Sequence, residues 1–192
     1  MNIMTIHGYA SNPSVWEPLV QFLSPPHRVR HFDYSGGWNW PVIGITGARL
    51  YNRKRGGLAA RQSKKYSSRI CIAHSNGNVV ANYARHSPIC KFKHLIAIHP
   101  ALDADFKFHP AWKTVHVLYD QGDLPVRWAR RLIGHDWGDM GARGYQGHNP
   151  KVVNVEYDND EGSSIADHSE CLHKPLVDKV GPLIMSIIDG IR

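Results

Sequence analysis

The chain has 192 residues, 42% of them hydrophobic and 20% charged, with a formal net charge of +7. This fits a single domain, 1–192, that buries a core without disulfide or metal staples. No apolar run approaches the roughly 20 residues needed to cross a bilayer, which excludes a helical membrane span. Cys71, Cys90 and Cys171 are too far apart for a disulfide framework or a paired-cysteine zinc site. The positive charge attracts anions of any class and names no partner; with no leader-like segment before the first strand, a cytoplasmic location is expected.

Short apolar runs rich in β-branched residues alternate with helix-like segments, the pattern of a parallel sheet with crossover helices. The first strand is predicted over Ile3 to Ile6, followed by His7-Gly8-Tyr9 and a helix over Pro13 to Phe22, with Ser11 or Asn12 as its cap. A second strand is predicted over Arg28 to Tyr34. Between Ser35 and Ser68, Gly36, Gly37, Gly44, Gly47, Gly56 and Gly57 interrupt the periodicity that would mark a helix, and at least one crossover helix that includes Thr46 to Lys54 is expected there. The third strand, Arg69 to Ala73, runs almost directly into a helix over Asn76 to His86. Strands follow over His94 to His99 and Thr114 to Tyr119, then a helix over Pro125 to Ile133 and a glycine-rich insertion from Gly134 to Pro150. The last strand, Lys151 to Tyr157, precedes a polar loop and a helix over Lys174 to Ile191, whose Leu176, Val180, Leu183, Ile184, Ile187 and Ile188 share a face. The expected architecture is α/β: a doubly wound, mostly parallel sheet of about six strands with helices on both faces.

The junction of the third strand with its helix reads Ala73-His74-Ser75-Asn76-Gly77. A serine on so tight a turn takes a strained backbone, and the residues two before and two after it must be small for the turn to close. Ala73 and Gly77 meet that limit. The segment resembles the nucleophile elbow of the α/β-hydrolase family, with alanine in place of the first glycine. His7-Gly8 after the first strand, the acidic loop after the fifth and the histidine after the sixth stand in that family's order.

The resemblance implies a small single-domain serine esterase without a large cap, using no cofactor and no metal. Its nucleophile would be Ser75, its acid Asp123 with Asp120 as the alternative, and its base His168 with His173 as the rival. The backbone N–H groups of Tyr9 and Asn76 would form the oxyanion hole, and Gly8 would let the backbone approach the developing charge. Asn78 departs from the family's usual small residue, as Ala73 does from its glycine. The expected partner is a small-molecule acyl ester, with His7, Gly8, Trp137 and Tyr145 beside it. Trp16, Trp38 and Trp40 are either pocket or core, and Gly134 to Pro150 either lid or plain loop.

Three other readings use the same residues. The scaffold could bind without catalysing. The basic residues Arg49, Arg53, Lys54, Arg55, Arg61, Lys64 and Lys65 would serve a nucleic-acid binder, but no reading motif accompanies them. A metal hydrolase would draw on His135, Asp136, Asp139, His148 and His168, which lack a compact ligand spacing. The oligomeric state does not follow from the residues.

Overall fold

The computed structural model describes residues 1–8, 11–34, 41–123, 138–157, 172–173 and 176–191, with backbone alone for 41–50. Six strands form one sheet: β1 (Asn2–Ile6), β2 (Arg28–Phe32), β3 (Ile70–His74), β4 (His94–Ile98), β5 (Thr114–Tyr119) and β6 (Val152–Glu156). Their order is β2-β1-β3-β4-β5-β6, and each neighbouring pair is parallel. The sheet is therefore parallel throughout, as expected. Each strand lies within two residues of its predicted limits.

The described helices are α1 (Glu17–Leu23), α2 (Pro41–Lys65), α3 (Gly77–Arg85), α4 (Met140–Arg143) and α5 (Val177–Gly190). A 3₁₀ turn, Pro13–Trp16, leads into α1, and the Asn12 side chain caps it by accepting from the Ser14 N–H at 2.9 Å. Because strand side chains alternate between faces, β3 sends Ile70 and Ile72 one way and Cys71 and Ala73 the other. The first pair joins Trp16, Leu19, Leu23, Val180, Ile184 and Ile188 beneath α1 and α5. The second joins Ala59, Ala60, Val80, Ala81 and Ala84 beneath α2 and α3. Both faces are covered, which explains why β3 is buried at every residue.

The expected crossover helix that includes Thr46 to Lys54 is α2, which runs for 25 residues through four glycines. Gly56 does not break it, because it is the point where α2 meets α3: a Cβ there would lie 2.5 Å from Tyr83 Cβ and 2.8 Å from the Ala84 nitrogen. Within the predicted insertion, residues 138–143 belong to the packed body. Met140 N donates to Leu102 O, Gly141 N to Pro100 O, and Met140 is fully buried. The predicted helix over Pro125 to Ile133 lies outside the described residues.

The connections place the site. The chain goes outward from β1 to β2, then returns past β1 to β3 and continues the other way. The carboxyl ends of β1 and β3 thus flank the point where strand order reverses, which is where open α/β sheets form a crevice. Gly8 and Ser75 follow those two ends.

Candidate active site

Ser75 has φ +52°, a left-handed conformation uncommon for a residue with a side chain. Three groups hold it there. Its N–H donates to Ile98 O at 3.0 Å, extending the β3–β4 ladder one step beyond the strand; the Asn78 N–H and the Asn78 side-chain amide both donate to Ser75 O, at 3.1 and 3.0 Å. The Asn78 amide also reaches Ile98 O at 3.4 Å. Asn78, a departure from the usual small residue, thus clamps the turn from within the core. Ala73, the other departure, sits in register between Ile6 and Ala97 and is fully buried.

The turn closes against β1. A Cβ on Gly77 would lie 2.5 Å from Ile6 O and 2.6 Å from His7 O, both backbone atoms, so glycine is needed there. Gly8 approaches from the same side: its Cβ would lie 3.1 Å from Ser75 Cβ and 3.1 Å from His74 Nδ1. Beside them, Asn76 and Asn52 exchange side-chain amide hydrogen bonds at 3.1 and 3.2 Å inside the protein. This pair ties the residue after Ser75 to α2.

His7 is 1% exposed and stacks on Tyr34, with ring centroids 4.2 Å apart. The Tyr34 N–H donates to Nε2 at 3.3 Å, so Nδ1 carries the proton and donates to Gly8 O at 2.9 Å. Burial lowers the His7 pKa, outweighing the Gly8 carbonyl and Asp33, whose carboxylate lies 3.5 Å from Nε2 and faces solvent. A neutral ring follows. Its role in this arrangement is to hold the Gly8 turn. The Tyr34 hydroxyl, its pKa raised by burial, donates to His7 O at 2.7 Å and fastens the end of β1.

At the end of β5 the two candidate acids separate by environment. Asp120 Oδ1 accepts from the Gly122 N–H at 2.9 Å, the bond of an Asx turn. Asp123 is fully buried, and its Oδ2 lies 3.0 Å from His99 Nδ1. His99 Nε2 in turn meets the Tyr157 hydroxyl. His99 directly follows β4, has φ +42°, and its ring centroid is 6.4 Å from that of His74, the residue before Ser75. Sequence reasoning did not single out His99. Its only local signal is a histidine before a proline at a strand end.

Of the other candidates, His168, Tyr9, Trp137, Trp38 and Trp40 lie outside the described residues. His173 is exposed, and its carbonyl accepts from the Val177 N–H at 2.8 Å at the start of α5. Trp16 is core, fully buried beneath α1. Tyr145 is not brought to Ser75: its backbone exchanges 2.8 Å hydrogen bonds with the Asn154 side chain on β6, three strands from β3. Strand spacing alone makes that separation about 14 Å. Among the described residues no group of histidines, cysteines and carboxylates could hold a metal; Asp139 pairs with Arg143 at 3.2 Å, and His148 is exposed. Cys71 and Cys90 are buried free thiols, and burial pushes the Cys71 pKa up. No described helix is long and apolar enough to cross a membrane.

No protein-family model and no curated protein matches the sequence. Solved structures do match in shape. A "predicted CIB-like hydrolase" from Thermoplasma acidophilum aligns over 97% of this chain and 85% of its own, with 12% identity and a TM-score of 0.59. Carboxylesterase CesB from Bacillus subtilis aligns over 98% and 84%, with 11% identity and a TM-score of 0.59. A structure from the metagenome-derived lipolytic enzymes LipS and LipT aligns over 98% and 93%, with 10% identity and a TM-score of 0.61. At such identities the likeness concerns the fold, and it extends over nearly the whole chain. With a parallel sheet, a strained serine at the switch point and these structural neighbours, the chain has the α/β-hydrolase fold.

Proposed function

We propose that the protein is a serine hydrolase that cleaves carboxylic esters through an acyl-enzyme on Ser75. The observation that carries this reading is the backbone of Ser75: φ +52° at a strand-to-helix turn, with Gly8 packed against it. Strain of that kind costs about 1–3 kcal/mol and persists where surrounding structure enforces it, most often at functional sites. The names of two of these neighbours, carboxylesterase and lipolytic enzyme, favour an ester over other acyl compounds.

In the proposed reaction His168 takes the proton of Ser75 Oγ as the oxygen attacks the ester carbonyl. The tetrahedral oxyanion is met by the N–H groups of Tyr9 and Asn76. Its collapse breaks the C–O bond to the alcohol, which leaves with the proton carried by His168. Water, deprotonated by the same imidazole, then attacks the acyl-enzyme and releases the acid and Ser75. Asp123 orients the imidazole and stabilises its charged form. His168 and Tyr9 enter this scheme through the family resemblance. The burial of Asp123 and its contact with the His99 imidazole, against the turn role of Asp120, support the choice of acid.

The test is labelling with a fluorophosphonate, together with turnover of p-nitrophenyl esters of graded acyl length. Wild type should be labelled and active, Ser75→Ala should lose labelling entirely, and turnover should fall by about 10⁴-fold or more. His168→Ala and Asp123→Asn should each lose most of the rate. A folded wild type that is inert to the probe, or turnover that survives Ser75→Ala, would reject the proposal.

A further inference from the structure

Asp123 meets an imidazole that the proposed triad does not use. His99 Nδ1 lies 3.0 Å from Asp123 Oδ2, and His99 Nε2 contacts the Tyr157 hydroxyl. His99, Asp123 and Tyr157 are 1%, 0% and 6% exposed, so bulk water does not compete for these contacts. The proton position at Nδ1 follows from chemistry. A carboxylate only accepts, so Nδ1 bears the hydrogen toward Asp123, while Nε2 faces the Tyr157 hydroxyl, which can donate or accept. The result is a chain of contacts from Tyr157 through His99 to Asp123. Nδ1 and Oδ2 stand at ion-pair distance, with the N–H poorly aligned on the oxygen.

The backbone indicates that this placement is enforced. His99 has φ +42° and precedes Pro100, although a proline favours extended backbone in the residue before it. His99 N donates to Leu118 O at 3.0 Å, which fixes the end of β4 against β5 just where the chain departs toward Asp123. Ser75 occupies the equivalent place on β3, also at positive φ, bonded to Ile98 O at 3.0 Å. Two adjacent strands thus end in strained residues at one level of the sheet. One presents a hydroxyl, the other an imidazole that reaches the buried acid.

We infer that His99 is a positioning residue: its Nδ1–H fixes one oxygen of Asp123 and stabilises the carboxylate, while the Tyr157 hydroxyl holds the ring in place from Nε2. A carboxylate held at one oxygen keeps the other oriented for the base, and an error of about 1 Å in such a group can cost about 100-fold in rate. The inference rests on the hydrolase reading above and adds to it a second histidine that never touches substrate.

The test uses three variants, with kcat, KM, fluorophosphonate labelling rate and thermal midpoint measured for each. In His99→Asn the amide nitrogen can stand close to the place of Nδ1, and asparagine tolerates a left-handed backbone. It should keep kcat within about three-fold of wild type. His99→Leu has a similar branch and no donor; its kcat and labelling rate should fall about 10- to 100-fold with KM unchanged. Tyr157→Phe, which removes only the hydroxyl, should lower kcat a few-fold at constant KM. Wild-type labelling by His99→Leu, or an equal loss in His99→Asn and His99→Leu, would overturn the inference. Should His99→Leu fail to fold, Tyr157→Phe decides, and an unchanged kcat there overturns it. A reactive wild type with an indifferent His99→Leu removes this inference alone, whereas a folded, inert wild type removes the hydrolase reading with it.

Discussion

At Ser75 stability and chemistry pull in opposite directions. A residue with a Cβ at φ +52° carries strain that glycine would not, so Ser75→Gly should be more stable than Ser75→Ala by about 1 kcal/mol, with neither variant labelled. Urea unfolding of the two proteins checks this, and an equal midpoint would mean that the elbow holds no strain. The neighbouring amide pair gives a second expectation. Asn52→Ala leaves the buried amide of Asn76 without its partner, which should cost about 1–3 kcal/mol. Asn52→Asp keeps an acceptor but sets a buried carboxylate oxygen against Asn76 Oδ1, and should cost more than Asn52→Ala at neutral pH. These residues differ in how far the sequence announced them. The elbow was legible because steric closure demands small residues at fixed offsets around the serine, and Ala73 and Gly77 supply them. His99 was not, because its meaning depends on Tyr157, 58 residues away, and on a side chain that becomes an anchor only once β4, β5 and β6 are aligned.

Helix α2 carries the clearest lesson at the next scale. Gly56 and Gly57 are adjacent in sequence and look equally disruptive, yet they face opposite surroundings. A Cβ on Gly56 would collide with the backbone of α3, whereas one on Gly57 would meet nothing within 4 Å. Gly57→Ala should therefore stabilise the protein by about 1 kcal/mol, the ordinary gain of alanine over glycine in a helix. Gly56→Ala should destabilise it by about 1–3 kcal/mol through overpacking. Thermal midpoints that move in the same direction would refute the assigned packing. The pair also explains why the sequence sets no outer bounds for α2 beyond Thr46 to Lys54: glycine used for close approach is indistinguishable, in one sequence, from glycine used to end a helix. The described part of the glycine-rich insertion uses glycine for packing in the same way. A Cβ on Gly138 would fall 2.0 Å from the Asp103 nitrogen, so this residue is small in order to pack. Strands were easier to place. A parallel sheet covered on both faces needs short, continuous apolar runs, and β3 and β4 supply them.

For the molecule as a whole, charge and burial act together on acid stability. Burial lowers the pKa values of His7, His31, His94 and His116; at His94, Lys113, His116 and Lys93 act in the same direction. Each of these rings binds a proton more readily in the unfolded chain, at about 6.5, than in the folded one. The sign follows: their contribution to stability is intact above pH 6.5 and is lost as pH falls toward their folded values. The chain already carries a formal +7 at neutral pH and has 13 histidines, so acidification also adds repulsion between like charges. The urea midpoint should fall between pH 7.5 and 5.5. Added salt should restore only part of the loss, because it screens repulsion between exposed charges but does not repay the burial of a charged ring. His116→Gln, which removes one half-buried ring without touching the Ser75 crevice, should make the pH dependence shallower. A midpoint that is flat or rises on acidification would contradict the account. Full recovery in salt would assign the effect to surface repulsion alone.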